Sequence, residues 1–530
     1  ALTLAAKARD LLEVGREAEA EQAVTEAQKW AKQIVGDRGM DRARGSILLS
    51  RGEILTQRDP RTAMLLLDSA VTAFRAYKSD LFLPNALHAA ARAATKSGDS
   101  LAARRSLIEA TGALERQTSQ FTGASRRVTY SETAERVFDS LIRVEMDSRQ
   151  PGGAFAAIER NRLAVWSPPN SSGSDSLDST NHLTLDTVVA QMPDSALLVE
   201  YALLSDRLLI WSVSRRGSRA LTVRVSRDTI AAVLGRMIDE LDGEKARPNG
   251  ASARLYDFLV RPLGHDLDGI SRITFVPDRE LFAVPFVALW DRNSTRYLLE
   301  AFDVRTAPSA VFYMQATRAG TTVPALGKGG VLVVGDPAGV DSASRRFAPL
   351  PWATVEAESV AQIHSTKALI GSSASSVEVR RSLESVSIFH FAGHAVFDAN
   401  QPERSFLALA DIGGKPGVLT ASEIAALRPS NLKLVVLSAC STLNPRPTRN
   451  GAIGGLAFTF LRVGARAIVS SLWEVRDDAT AELFVEFHRQ LAKDATPSEA
   501  LRRAQLAALH SSRPNLRAAR TWAAFTYTGS

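Results

Sequence analysis

Two residues with reactive side chains follow apolar runs of the kind that form buried strands. His394 ends the segment "SIFHFAGH", and Cys440 ends the segment "LKLVVLSAC". The interval between them (440 − 394 = 46 residues) allows one return helical connection between parallel neighbouring strands. If the strands are adjacent, the imidazole faces the thiol outside the carboxyl edge of a sheet, where α/β proteins bind ligands. The imidazole can then take the thiol proton or stabilise the thiolate, so the pair predicts a cysteine nucleophile.

Two less reactive interpretations stay open at this point. A free cysteine at the end of an apolar strand is often a buried core residue, and Cys440 alone does not separate the two roles. His390 is a second candidate histidine, but it lies inside its strand between two phenylalanines, where a core role is common. His394 follows Gly393, where the chain can turn and expose the ring, so we predict that His394 is the base.

The elements that position this pair are typical of an α/β sheet. Short apolar runs alternate with helical segments from residue 196 onward, which predicts a mostly parallel central sheet flanked by helices. The first two runs, "ALLVEYAL" and "RLLIWSVS", predict an antiparallel hairpin beside that sheet.

The part of the chain before residue 167 predicts helices only. Turn signals near residues 59, 98 and 151 precede Ala-rich helices at a spacing of roughly 40 to 50 residues, as in tetratricopeptide-like arrays. An irregular helical bundle is the alternative. We predict a TPR-like repeat domain over 1–166, a Ser/Pro-rich linker over 167–185 and an α/β domain over 186–530.

Composition excludes several classes of function. The formal charge of +7 is spread over 530 residues, so nucleic-acid binding is not indicated. A single cysteine excludes an internal disulfide and a multi-thiolate zinc site, which favours a reducing, cytoplasmic compartment. No apolar run is long enough to cross a membrane, and there is no secretory start. Neither "GAIGG" nor "GKGG" has the spacing of a nucleotide-binding loop, so no cofactor is expected.

The segments "HFAGHAVFD", "VVLSACST" and "AIVSSLWEVRDDAT" together resemble the CHAT domain. This is the caspase-like protease domain, related to separase and the caspases, that occurs together with tetratricopeptide repeats. The resemblance covers residues from about 190 to 530 and implies that His394 is the base and Cys440 the nucleophile of a dyad. It also implies an oxyanion hole from the backbone N–H groups of Ala395 and Cys440. The family usually has Gly at the position of Ala395, and alanine resists a positive φ. Asp398 is either an orienting acid or a solvated loop residue.

The same resemblance implies a substrate-binding segment after the next strand. The backbone from Ser470 and Ser471 to Trp473 would bind a peptide as an added strand, with Trp473 lining a side-chain pocket or packing in the core. Asp477 would select a basic P1 residue, or else cap the helix that follows. Residues 444–455 would form a loop that is either cut during activation, at Arg446 or Arg449, or left uncut.

The sequence therefore predicts a cysteine endopeptidase that cleaves a protein substrate, with the helical arm recruiting that substrate or receiving a regulatory protein partner. A catalytically silent scaffold on the same fold is the main alternative. Another thiol hydrolase or acyltransferase on the same dyad is a third interpretation. A retained His394 and Cys440 argue against the scaffold, because a decayed site should lose one of them.

Overall fold

The computed structural model describes most of the chain. The described residues are 1–33, 37–76, 81–118, 124–166, 184–242, 250–318, 330–338, 347–398, 401–413, 415–439 and 455–529. They divide into two compact units, 1–165 and 184–529. The predicted linker over 167–185 lies outside the described residues except for its last two.

The first unit is entirely helical within the described residues, as predicted. Its helices are α1 Leu2–Glu13, α2 Glu17–Ala31, α3 Asp37–Leu55, α4 Pro60–Ala76, α5 Leu83–Ser97, α6 Ser100–Thr118, α7 Ala124–Asp147 and α8 Pro151–Trp166. Each packs mainly against the next one or two along the chain, which is the contact pattern of a repeat array. Alanines such as Ala63, Ala90 and Ala103 are buried, so the backbones can approach closely.

The turn signals near 59, 98 and 151 have a more specific position than the sequence indicated. They precede α4, α6 and α8. Helices α1 and α2, α3 and α4, and α5 and α6 pack in pairs. The signals before α4 and α6 therefore lie within helical hairpins, between the first helix and the second.

A partly buried histidine makes the stability of the helical unit depend on pH. The pKa of His88, in α5, is lowered to about 4, mainly by burial and also by the charges of Arg92 and Arg136. Its Nε2 lies 2.9 Å from Ser140 Oγ, in α7. Because the pKa is depressed on folding, the stabilisation is present above about pH 6.5 and is lost as pH falls toward 4.

Replacing this residue, as His88→Gln, should flatten that dependence, because the amide can bond to Ser140 but does not titrate. We expect wild-type α5 and α7 to lose up to about 3 kcal/mol of protection between pH 6.5 and 4. Hydrogen exchange corrected for the intrinsic rate measures this loss. The exposed-residue variant His510→Gln serves as the control and should behave as wild type. An identical pH dependence in His88→Gln and wild type would contradict the assignment.

The second unit is built on a large sheet. Its strand order in the described residues is β3-β2-β1-β4-β7-β16-β15-β14-β10-β8-β9, and most neighbouring pairs are parallel. The strands are β1 Ala196–Leu203, β2 Leu208–Ser214, β3 Gly217–Val223, β4 Arg272–Val276, β7 Asp303–Thr306, β8 Val331–Pro337, β9 Ala368–Gly371, β10 Ile388–Ala392, β14 Leu434–Ser438, β15 Ala467–Ser471 and β16 Phe525–Thr528. The predicted antiparallel hairpin is β1 and β2, and it extends the sheet at one edge.

Helices cover the sheet, and two small sheets lie outside it. The helices are α9 Leu185–Gln191, α10 Arg227–Asp242, α11 Ala251–Leu259, α12 Leu298–Ala301, α13 Ala310–Arg318, α14 Pro351–Ile363, α15 Ser376–Leu383, α16 Ala421–Ala426, α17 Leu456–Arg462, α18 Asp477–Leu491, α19 Pro497–Leu509, α20 Pro514–Arg517 and α21 Ala519–Trp522. The small sheets pair β5 Trp290–Asp291 with β6 Arg296–Tyr297, and β11 Ala395–Val396 with β12 Phe406–Ile412 and β13 Lys415–Thr420. The predicted fold class is confirmed: an all-α region followed by a mostly parallel sheet flanked by helices.

Side-chain alternation along the central strands separates two cores. Phe389 and Phe391 of β10 join one apolar cluster, whereas Ile388 joins the other. His390 points to the same face as Ile388, because successive strand residues alternate. A polar residue is thus placed in the middle of a buried strand, against helices α14 and α18. Among the described helices, none combines the length and apolar character needed to cross a membrane.

Candidate active site

The two strands that precede the predicted dyad are parallel neighbours in register. Ala392, the last residue of β10, pairs with Ser438, the last residue of β14. His394 follows its strand by two residues, and Cys440 also follows its strand by two. Cys440 itself lies outside the described residues, as does the predicted loop 444–455. The adjacency that the sequence predicted is present, and both strands end at one edge of the sheet.

The orientation of His394 is fixed by a short segment that leads into α14. Its Nε2 lies 2.7 Å from the carbonyl oxygen of Ala348, and its ring stacks on Phe347 with centroids 4.9 Å apart. A carbonyl oxygen can only accept a hydrogen bond, so Nε2 carries the hydrogen. In the neutral ring, Nδ1 then holds the lone pair that can take a proton. The half-buried imidazole is therefore held in one tautomer, with Nδ1 as its acceptor nitrogen.

The backbone after His394 accommodates Ala395 at the position where the family usually has glycine. Ala395 starts β11 and pairs with Leu407. It is not among the described residues with a positive φ, so alanine replaces the usual glycine without backbone strain. Gly393 is required for space, since a Cβ there would lie 3.0 Å from both the Phe391 ring and Pro337 Cδ.

A buried carboxylate connects the two strands that carry the predicted dyad. Glu356, in α14, is 1% exposed. Its Oε2 accepts a hydrogen bond from Ser438 Oγ at 3.1 Å, and its Oε1 lies 2.9 Å from His390 Nε2, off the ideal hydrogen-bond direction. Ser438 belongs to β14 and His390 to β10. One side chain of a helix thus contacts both strands below the point where they end.

Two more histidines continue from this carboxylate toward the opposite end of the helices. His390 Nδ1 lies 3.1 Å from His488 Nε2, and His488 Nδ1 lies 2.8 Å from His364 Nε2. We call His390, His488 and His364 the histidine row. His390 and His488 are fully buried, and His364 is half-buried at the C-terminus of α14.

Burial favours the neutral form of two rings of the histidine row, His488 and His364. It is the main cause that lowers the pKa of His488 well below its usual value, and the positive charges of His390 and His364 add to it. The pKa of His364 is lowered by burial and then by the charge of His390. Each neutral ring has one donor and one acceptor nitrogen, so the hydrogen bonds must run in one direction along the row.

The model of the CHAT domain family matches residues 250–530, just over half of the chain. The chain belongs to the CHAT domain family. The family match begins after the hairpin of β1 and β2, although that hairpin is part of the same sheet.

Relatives of this CHAT domain chain include tetratricopeptide repeat protein 28. The Mus musculus protein is 26% identical over 338 residues, which cover 52% of this chain and 13% of that protein. The Homo sapiens protein is 25% identical over 329 residues, with the same shares. The chain therefore spans about an eighth of the length of these curated relatives.

Similar solved structures are distant. The Saccharomyces cerevisiae separase–securin complex has a TM-score of 0.49 at 10% identity, over 99% of this chain and 49% of that chain. The Arg specific cysteine proteinase gingipain R has a TM-score of 0.35 at 13% identity, over 53% of this chain and 67% of that chain.

The segment predicted to bind a peptide, at Ser470 and Ser471, is paired on one of its edges in this CHAT domain. Both residues lie in β15 and pair with Thr526 and Phe525 of β16, and Leu472 N–H donates to the carbonyl oxygen of Ala524. Ser471 Oγ donates to the carbonyl oxygen of Ala439, just after β14. A peptide cannot add along the β16 side without displacing that strand. Strand addition at Ser470 and Ser471 stays a prediction; β16, which the sequence did not reveal, occupies the edge of β15 that faces β7.

Trp473 and Asp477 follow that strand. Trp473 is partly buried, packs against both apolar clusters of the sheet and donates from Nε1 to the carbonyl oxygen of Arg520 at 2.9 Å. Asp477 is the first residue of α18, while Arg476 holds the N-cap position. Its Oδ2 accepts the backbone N–H of Trp352 at 2.9 Å, so it contacts the start of α14.

Four carboxylates lie near one another at the carboxyl edge of the sheet. Burial raises the pKa of Asp477, and repulsion from Glu356, Asp336 and Asp478 raises it further. The hydrogen bond from Trp352 N–H acts in the opposite direction and lowers this pKa. Asp336 lies in β8 and accepts the N–H of Leu350 at 3.1 Å. No group of side chains suited to a metal ion occurs within the part of the chain that the structure describes.

Proposed function

We propose that the chain is a cysteine endopeptidase that acts on a protein substrate through His394 and Cys440. The observation that carries the proposal is the register of β10 and β14 as parallel neighbours. In the sequence, each predicted catalytic residue comes two residues after the end of one of these strands. The Ala348 carbonyl supports it, because it leaves Nδ1 of His394 as the proton acceptor. Membership of the CHAT domain family agrees with this chemistry.

The proposed reaction proceeds through an acyl-enzyme. The Cys440 thiol gives its proton to His394 Nδ1, and the sulfur attacks the scissile carbonyl carbon. Backbone N–H groups of Ala395 and Cys440 are the proposed donors to the oxyanion. His394 returns the proton to the leaving amine as the C–N bond breaks. Water then attacks the thioester and gives a proton to His394. As the C–S bond breaks, His394 passes that proton to the sulfur, which releases the acid and restores the thiol.

The helical unit is the proposed site of a protein partner or substrate. Sequential helix pairs form extended surfaces that suit protein and peptide ligands. Its role is tested by comparing cleavage of a short peptide and of a native protein substrate by the full chain with and without residues 1–166. Recruitment requires that only protein cleavage falls. Equal loss on both would indicate gating, and no loss on either would exclude both roles.

The endopeptidase is tested by mapping new protein N-termini in a lysate incubated with wild-type chain or with Cys440→Ala. We expect a defined set of new N-termini with wild type alone, which also gives the P1 residue. Equal sets with both proteins, in the presence of a partner that engages the helical unit, would contradict proteolysis and favour the scaffold.

Asp477 is the proposed selector of a basic P1 residue. The negative field of Asp336, Glu356 and Asp477 suits a guanidinium or ammonium group. The replacement Asp477→Asn should therefore lower kcat/KM for Arg or Lys substrates by about tenfold or more, and leave neutral P1 substrates unchanged. Peptide series that differ only at P1 measure this effect.

The same replacement, Asp477→Asn, should raise the free energy of unfolding at neutral pH although it lowers activity on basic substrates. The pKa of Asp477 is raised on folding, so its contribution is complete below about pH 4 and is lost as pH rises through the folded value. Asp477→Asn keeps an acceptor for Trp352 and removes this loss, so we expect a small gain in unfolding free energy at pH 7 that vanishes at pH 4. Asp478 is the matched control: its Arg476 hydrogen bond lowers its pKa, so Asp478→Asn should lose stability at pH 7. The same sign for both variants would refute the assignment.

A further inference from the structure

The buried carboxylate of Glu356 has no part in the reaction described above. It is nevertheless joined to both strands that lead to the dyad. Its contact to Ser438 is two residues before Cys440, a separation of at most about 7 Å between Cα atoms. Its contact to His390 is four residues before His394. Gly393 N–H donates to the Ser438 carbonyl oxygen, so the same two chain segments also bond directly to each other.

The start of helix α14 makes further contacts with residues of the site. Ala348, in the segment that leads into α14, holds the ring of His394. Trp352 N–H, at the start of α14, holds Asp477. Glu356 then follows one turn later, on the buried face. Helix α14 and the segment that leads into it therefore contact both His394 and the two strands before the dyad. The two contacting residues, Ala348 and Glu356, are only eight residues apart along the chain (356 − 348 = 8).

The histidine row contacts the Glu356 carboxylate at Oε1, the oxygen that does not bond to Ser438. A buried carboxylate needs partners for its oxygens, and His390 is the titratable group beside Oε1. His488 of α18 fixes the ring of His390, and His364 fixes the ring of His488. Besides Glu356, the charged groups that act on Asp477 are Asp336 of β8 and Asp478 of α18, both acidic. His390, held in turn by His488 and His364, is thus the imidazole neighbour of Glu356 in this region.

We propose that Glu356 is a positioning residue for the cysteine nucleophile, clamping β14 through Ser438 and β10 through His390 so that the thiol and His394 are held in reach. This inference rests on the proposed pairing of His394 and Cys440. Loss of the clamp separates the pair and returns the thiol to its ordinary ionisation, because the neighbouring imidazole no longer stabilises the thiolate. Glu356→Gln can keep both contacts, since its amide oxygen accepts from Ser438 and its NH₂ donates to His390. Glu356→Ala removes both.

The experiment measures alkylation by iodoacetamide against pH in the full chain. Cys440 is the only cysteine, so the rate reports one thiol, and no peptide substrate is needed. For wild type and Glu356→Gln, we expect the midpoint of the rate–pH curve to lie below the usual thiol value of about 8.5. Glu356→Ala should raise that midpoint by about one unit, which is about tenfold less thiolate at pH 7. The exposed neighbour in the same helix provides the control, and Glu358→Gln should match wild type.

A purely structural role for Glu356 would lower the melting temperature without moving the thiol midpoint. A folded Glu356→Ala chain with the wild-type midpoint therefore overturns the inference. If Glu356→Ala does not fold, Ser438→Ala removes one arm of the clamp with little change of volume. We expect that variant to raise the midpoint as well, and an unchanged midpoint would overturn the inference. A wild-type midpoint near 8.5 would instead refute the proposed pairing on which the inference rests.

Discussion

His394→Ala should lower the labelling of Cys440 by an electrophilic peptide probe by a factor of about 10² to 10⁴, and Cys440→Ala should abolish it. The larger loss follows because the chain has no other thiol. The loss in His394→Ala follows because Nδ1 of this ring is the proposed acceptor of the thiol proton, and general base catalysis typically contributes this much. Single-turnover labelling at pH 7 measures both.

The control separates catalysis from the mere loss of an imidazole. His265 has a fully exposed side chain whose contact is to Asp268, also largely exposed. His265→Ala should label as wild type. Equal labelling of His394→Ala and wild type would rule out the proposed base. In that case the carbonyl of Ala348 would be holding a ring with no chemical part.

The sequence predicted the adjacency of the dyad strands because that information is local. Both apolar runs end in a short polar turn, and parallel strands with one crossover tend to be neighbours. The structure agrees at the level of register, with Ala392 opposite Ser438. The difference in burial on which the sequence separated the two histidines is present, since His390 is fully buried and His394 is half-buried. That His394 is the base stays a prediction.

The partner of His394 could not be predicted in the same way. Ala348 is a surface alanine that acts through its carbonyl oxygen, a group that every residue has, and it lies 46 residues upstream. Strand β16 was missed for a similar reason. Its four residues carry little periodicity, and its place between β15 and β7 depends on pairings across the whole domain. The pairing of Ser470 and Ser471 along one edge of β15 follows from that one strand.

Glu356 and His488 were missed although a usable signal was present. In α18, His488 lies four residues after Phe484 and three before Leu491, on the apolar stripe that faces the core. In α14, Glu356 adjoins Ala357 and lies three residues after Ala353, both buried. A titratable residue on the apolar face of a helix must find a partner, so two such residues on neighbouring helices predict a buried network.

Gly335→Ala should lower the stability of the second unit through a clash beside the site. Gly335 lies in β8 directly under α14, where an added Cβ would be 2.4 Å from Ala357 Cβ and 2.8 Å from the Ala353 carbonyl oxygen. Neither atom can rotate away, so the helix must move. We expect a loss of about 1–3 kcal/mol of unfolding free energy, as in other overpacked cores, measured by urea unfolding of the second unit.

A control variant, Gly330→Ala, distinguishes this packing effect from a general cost of replacing glycine. Gly330 precedes the same strand, and a Cβ there would meet only Val386 Cγ1, at 3.6 Å. Gly330→Ala should change stability by less than about 0.5 kcal/mol. Because α14 carries Glu356 and follows Ala348, its displacement in Gly335→Ala should also slow Cys440 labelling. A destabilised Gly335→Ala chain in which Cys440 is labelled at the wild-type rate would show that the position of α14 does not affect the reactivity of the thiol.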